Sequence, residues 1–179
     1  MVVASNDFKT AMKQPVKELQ AYIETEEQTI RDDDDLISFK VSAEGGLCKT
    51  VMRKLEAKYI GERNLLGKWA SAGFGVKLPS GAFEYLIYGH FLVNELTITK
   101  DTGETNIVAY DKMINAMKPY NKLDITYPVG LYVYTQKLCE ACGLELGNTE
   151  FTVHNDWLIE KELWENINGI TYRDIFTQI

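Results

Sequence analysis

From Ile37 to Tyr110 apolar residues keep returning at every second position, and each run is cut short by a turn signal. Ile37, Phe39, Val41 and Ala43 alternate with Ser38, Lys40 and Ser42, the pattern of a half-buried antiparallel strand. Gly45-Gly46 breaks it, and Leu47, Cys48 and Val51 predict a helix of about two turns before Leu55, Ala57 and Tyr59 resume period two up to Gly61. Between residues 65 and 88 the pattern predicts a long hairpin. Ala70, Ala72, Phe74, Val76 and Leu78 share one face, and Trp69, Ser71, Gly73 and Gly75 share the other. Pro79-Ser80-Gly81 turns the chain into a return strand with Phe83, Tyr85, Leu86, Ile87 and Tyr88. A further hairpin places Leu92, Leu96 and Ile98 on one face, turns at Asp101-Thr102-Gly103-Glu104 and returns over Thr105 to Tyr110. Many strands joined by tight turns constrain the fold to a meander closed into a barrel or strongly curled.

Before this meander, Phe8, Ala11 and Met12 predict a short helix capped by Asn6 or Asp7 and stopped by Pro15. Leu19, Ala21 and Ile23 predict an edge strand within residues 16–24. The run Arg31-Asp32-Asp33-Asp34-Asp35 lacks the alternation and the later Gly and Glu of an EF-hand, and is read as a solvated turn. After Tyr110 the pattern changes, and a domain boundary is expected there. Asp111 is the expected cap of a helix with Met113, Ile114 and Met117 that ends at Pro119. Pro128 opens a second, with Leu131, Tyr134, Leu138, Ala141 and Cys142, closed by Gly143. Phe151 and Val153 start another extended piece. Thr171-Tyr172-Arg173-Asp174 has the form of a capping box ahead of Ile175, Phe176 and Ile179. The chain stops with that helix barely nucleated, so the 179 residues are expected to open a longer protein.

The charge balance of 19 Lys+Arg against 26 Asp+Glu, net −7, disfavours nucleic-acid affinity because phosphates are repelled. No apolar run approaches the ~20 residues of a membrane span, and the start gives no secretory-signal pattern. Three cysteines, Cys48, Cys139 and Cys142, do not describe a disulfide scaffold. Cys139-Glu140-Ala141-Cys142 is the one formal thiol or metal signature. It falls at the C-terminal end of its expected helix, where the dipole raises a thiol pKa, and it lacks a second ligand pair beyond Cys48 or His154. His90 and His154 neighbour no nucleophile in sequence. Gly73 and Gly75 are read as twist or bulge positions, since no Gly-Lys-Ser/Thr follows. The tyrosines, among them Tyr85, Tyr88, Tyr110, Tyr120, Tyr127, Tyr132 and Tyr134, are read as sheet and interface residues, with stacking on sugars or bases as the alternative.

A resemblance is carried by order and spacing. Ile107-Val108-Ala109-Tyr110-Asp111-Lys112-Met113 follows Asp101-Thr102-Gly103-Glu104. Next come Lys118-Pro119-Tyr120, Tyr127-Pro128 and the run from Leu138 to Gly147, and Asn168-Gly169-Ile170-Thr171-Tyr172-Arg173-Asp174-Ile175 ends the series. Over roughly residues 85 to 179 this resembles the N-terminal part of tail-associated baseplate hub proteins of phages and prophages of Gram-positive bacteria. The resemblance implies an α+β, β-rich chain. Residues 1–110 would be an antiparallel tail-tube-like β-barrel with a flanking helix, and residues 111–179 the start of a second, truncated α+β domain. It implies a homotrimer in the virion tail, made in the host bacterial cytoplasm, whose partners are a distal tail protein, a tape-measure protein and a tip or fibre protein. DNA would pass its channel without specific binding, past a net negative lining. The resemblance assigns no catalytic, cofactor or metal residue to this segment, and no enzyme activity, cofactor or membrane insertion is expected of it. Three further readings stay open: a component of a phage-tail-like bacteriocin or contractile injection particle, a small metal-binding or thiol module using Cys139 and Cys142, and a wall-carbohydrate-binding module using the tyrosines.

Overall fold

The computed structural model describes residues 4–44, 52–147, 150–151, 154, 156–161 and 168–179. The chain divides into two compact units, Met1–Ala43 with Arg53–Asp111, and Glu44–Met52 with Lys112–Ile179.

The first unit opens with α1 (Asn6–Met12), followed by seven strands: β1 (Leu19–Glu24), β2 (Thr29–Arg31), β3 (Leu36–Glu44), β4 (Met52–Ile60), β5 (Trp69–Lys77), β6 (Phe83–Thr99) and β7 (Glu104–Tyr110). They form one antiparallel sheet in the order β2-β1-β5-β6-β7-β4-β3. The two edge strands, β2 and β3, are consecutive in the chain and joined by the turn Asp32–Asp35. At about 4.8 Å per gap, a flat seven-stranded sheet would hold its edges roughly 29 Å apart. The five peptide steps from Arg31 to Leu36 reach at most about 19 Å. The sheet is therefore curled. The core says the same: Ile23, Ile30, Leu36, Leu55, Ala72, Phe91 and Ile107, one from each strand, belong to a single buried cluster.

The acidic turn ties the two sides together. The Asp32 amide donates to the Ala21 carbonyl at 3.2 Å, and its carboxylate accepts from the Ala21 amide at 3.0 Å. Asp33 accepts from Gln20 Nε2 at 2.7 Å. On the other side the Ile60 amide donates to the Asp35 carbonyl at 2.9 Å, and Arg63 pairs with the Asp35 carboxylate. The run expected to be a solvated turn is a turn, but three of its four carboxylates are engaged. β1, expected at an edge, is interior, because the short β2 lies outside it.

β6 is one strand of 17 residues where two strands with a break were expected. Its register against β5 slips between Ala72 and Gly73, leaving Tyr88 as an extra residue, and against β7 it slips at Asn94. Such bulges bend a strand and raise its twist, which lets one long strand follow a curled sheet. The second bulge also inverts side-chain parity. Phe91 and Val93 point to the core, Leu96 rejoins them, and Leu92, expected on the same face as Leu96, lies on the other.

Gly73 and Gly75 lie opposite Ile87 and Tyr85 on β6 and opposite Tyr22 and Gln20 on β1. A Cβ on Gly73 would stand 2.1 Å from the Leu86 carbonyl oxygen, and one on Gly75 would stand 2.6 Å from the Tyr85 ring. The glycines thus admit the close approach of β6 and the rings of Tyr22 and Tyr85, on the face away from the core.

α1 is capped by Ser5, one residue before the expected Asn6, because its hydroxyl accepts from the Phe8 amide at 3.0 Å. Phe8 and Ala11 are buried with Val76, and the Phe8 and Phe74 rings are 5.9 Å apart. Asp111, the expected helix cap, accepts from the Arg53 amide and Nε, each at 3.1 Å. Arg53 also donates to the Tyr88 carbonyl at the bulge. The segment after Asp111, Lys112–Met117, forms a 3-10 helix.

The second unit contains β8 (Val129–Gly130), α2 (Leu131–Cys142), β9 (Leu158–Ile159) and α3 (Tyr172–Gln178). β8 and β9 pair antiparallel. Pro128 precedes β8 and does not open α2, whose N-cap is Gly130. The helix does end on Gly143, whose φ of 68° is the left-handed cap conformation. Its buried face carries Leu131, Tyr134, Leu138 and Cys142 as expected, with Cys139 in place of the exposed Ala141. Phe151 belongs to no strand, while Val153 and the helix expected around Leu47, Cys48 and Val51 lie outside the described residues. The capping box is present. The Thr171 amide donates to Asp174 at 2.8 Å, and the Asp174 amide donates to the Thr171 hydroxyl at 3.3 Å.

Gly73→Ala should lower stability by about 3 kcal/mol, the upper end of overpacking costs. Ser71→Ala, one pleat away, should stay within about 0.5 kcal/mol. Urea midpoints check both, and an unchanged midpoint for Gly73→Ala would contradict the close approach. Asp174 gives a pH dependence. The Thr171 backbone and side-chain hydrogen bonds hold its carboxyl below the usual 3.8. Its contribution to α3 is present above pH 3.8 and lost as pH falls through the lowered value. Amide chemical shifts of α3 followed from pH 5 to pH 2 should show this loss in the wild type and not in Asp174→Asn.

Candidate functional site

Exposed aromatic and charged side chains share the outer face of β1, β2, β5 and β6. The ladders determine which side chains share it. Tyr22 on β1 pairs with Arg31 on β2 and with Gly73 on β5, and Glu24 pairs with Thr29 and Ser71. Across the glycines, Tyr85 and Ile87 rise from β6. Tyr22, Glu24, Thr29, Arg31, Tyr85 and Ile87 line an open groove of about 260 Å³.

The Tyr85 ring is fixed on several sides. It meets the Tyr22 ring edge-on at 5.0 Å and 79°, stacks on Phe83 at 6.0 Å and 26°, and donates its hydroxyl to Gln20 Oε1. It still exposes 37% of its surface. Tyr22 is buried, and burial, with Glu24 and Tyr85 adding to it, raises its phenol pKa, so the hydroxyl keeps its proton. Among the described residues, neither Glu24 nor Arg31 forms an ion pair through its side chain.

The same face brings together two residues that are far apart in sequence. Ser71 Oγ lies 2.8 Å from His90 Nδ1, because the two are register partners on β5 and β6. Catalysis by such a pair needs a group orienting the second ring nitrogen and donors for a developing oxyanion. His90 is exposed on a sheet surface open to water, and among the described residues no side chain holds its Nε2. The contact is a cross-strand polar pair. His154 is exposed and lies 3.8 Å, ring to ring, from Trp157.

Cys139 and Cys142 share the buried face of α2 near its C-terminus. Burial pushes the Cys142 thiol up to about 11 and, with Glu140, raises Cys139 as well. Both effects oppose the thiolate that nucleophilic or metal chemistry requires. Among the described residues no three His, Cys, Asp or Glu side chains gather around a common point, and Cys48 lies outside them. No described helix is long and apolar enough to cross a membrane.

The groove was only partly legible in the sequence. Alternation placed Tyr85 and the two glycines in strands, but β2 is three residues long, and its Arg31 was read as part of a charge run. Compared with known proteins, the chain matches no protein-family model and no curated relative.

In the native protein, alkylation of Cys139 and Cys142 at pH 7.5 should be far slower than in urea. Rapid native alkylation of either, followed by mass spectrometry, would contradict their burial.

Proposed function

We propose that the chain is the N-terminal region of a phage or prophage tail baseplate hub, a structural protein that acts as a trimer to close the tail tube and link it to tip proteins. The observation that carries this reading is the curled seven-stranded sheet, wrapped around one core with α1 packed beside it. That is the kind of unit a tail-tube-like barrel with a flanking helix requires. A second unit containing helices and a short strand pair follows it, as the resemblance implies for the next hub domain.

The surface chemistry fits a part built into an assembly. Ile37 on the edge strand β3 and Trp69 on β5 are both more than 40% exposed, which suits side chains covered by neighbouring subunits. On this reading the partners are a distal tail protein, a tape-measure protein and a tip or fibre protein, and the location is the virion. The net charge of −7 is then useful in a channel that DNA crosses without adhering, since a negative lining releases no counterions to phosphate. A related component of a contractile injection particle would use the same unit. The thiol-module reading has less support, because burial keeps Cys139 and Cys142 protonated.

Light scattering on the longer protein to which this region would belong should give the mass of three chains. A strictly monomeric protein at assembly concentrations would contradict the hub, and a trimer with a basic lumen would contradict the channel argument.

A further inference from the structure

We propose that the groove between β2 and β6 binds a neutral pyranose sugar, stacked on Tyr85 and held at its rim by Glu24 and Arg31. The proposal rests on the groove itself and not on the hub reading.

A pyranose offers a flat apolar face of C–H groups and a ring of hydroxyls that both donate and accept. The groove supplies a partner for each. Tyr85 presents a ring whose orientation is already determined by Tyr22, Phe83 and Gln20, so little side-chain freedom is lost on stacking. Ile87 extends the apolar floor, and Thr29 on β2 also lines the groove. Glu24 and Arg31 are diagonal neighbours on the β1–β2 ladder, on the same face, two register positions apart. Such neighbours are roughly 7–8 Å apart at their Cα atoms. They do not pair with each other, although other acidic and basic side chains of the unit do, such as Lys58 with Glu104 at 2.7 Å. A carboxylate that only accepts and a guanidinium that only donates, held apart in this way, suit adjacent hydroxyls of one ring.

Charge decides between ligand classes. The rim carries one positive and one negative side chain, so it offers no net attraction to phosphates, nucleotides or carboxylates. A groove of about 260 Å³ that is open to solvent has room for one sugar ring rather than for a drug-sized apolar ligand buried on all sides.

The test is saturation-transfer NMR on the 179-residue chain with the methyl glycosides of glucose, galactose and N-acetylglucosamine as probes. At about 10 mM probe, above a millimolar Kd, at least one glycoside should receive transfer on its ring protons. Tyr85→Ala and Arg31→Ala should each weaken binding about tenfold, and His90→Ala, elsewhere on the same face, should leave it unchanged. Glu24→Gln and Arg31→Ala lie on the exposed rim and keep the test open if Tyr85→Ala fails to fold. Absence of transfer from all three glycosides to a natively folded chain would overturn the proposal. So would binding that survives both rim variants, or glucose 6-phosphate binding more tightly than methyl glucoside.

Discussion

A four-residue turn, Asp32–Asp35, joins the two edges of a seven-stranded sheet, and the rest of the first unit follows from that short tether. Edges that would lie roughly 29 Å apart in a flat sheet must come within reach of five peptide steps. Curling then gives the inner faces of all the strands one shared core, in which Ile30 of one edge and Leu36 of the other are both buried. It also explains why the long central strand β6 carries two bulges, since a bulge is where an antiparallel strand bends. The carboxylates of Asp32, Asp33 and Asp35 lend the turn a second role by satisfying groups on β1 and beyond the end of β4.

The outer face answers the same geometry. Two glycines on β5 leave room for Tyr22 and Tyr85 to lean together, so aromatic rings cover backbone that side chains of β5 do not. What remains exposed is a fixed aromatic platform beside two opposite charges that form no ion pair among the described residues. Arg53 and Asp111 hydrogen-bond where β7 ends, tying the start of β4 to the residue that follows β7.

Much of this was readable from residue patterns, and the failures have physical causes. Alternation identified the inner residues of β4 and β5, Gly143 marked the end of α2, and Thr171 with Asp174 marked the start of α3, because each rests on local chemistry. Features set by distant partners were not readable. The bulge at Asn94 reversed the face of Leu92, β2 was too short to show a period, and Asp111 met Arg53 across 58 positions of sequence. The same limit applies to the site. Neither the Ser71–His90 contact nor the groove exists until the strands are in register.

The central claim, that one acidic turn fastens both sides of the sheet, is tested most directly by nuclear Overhauser contacts in the isotopically labelled chain. The account predicts cross-peaks from the Asp32 amide to Ala21 and from the Ile60 amide to Asp35 in the same folded species, with both amides slow to exchange. Contacts to only one side, with the other amide exchanging at the rate of an unfolded peptide, would mean an open sheet and contradict the account.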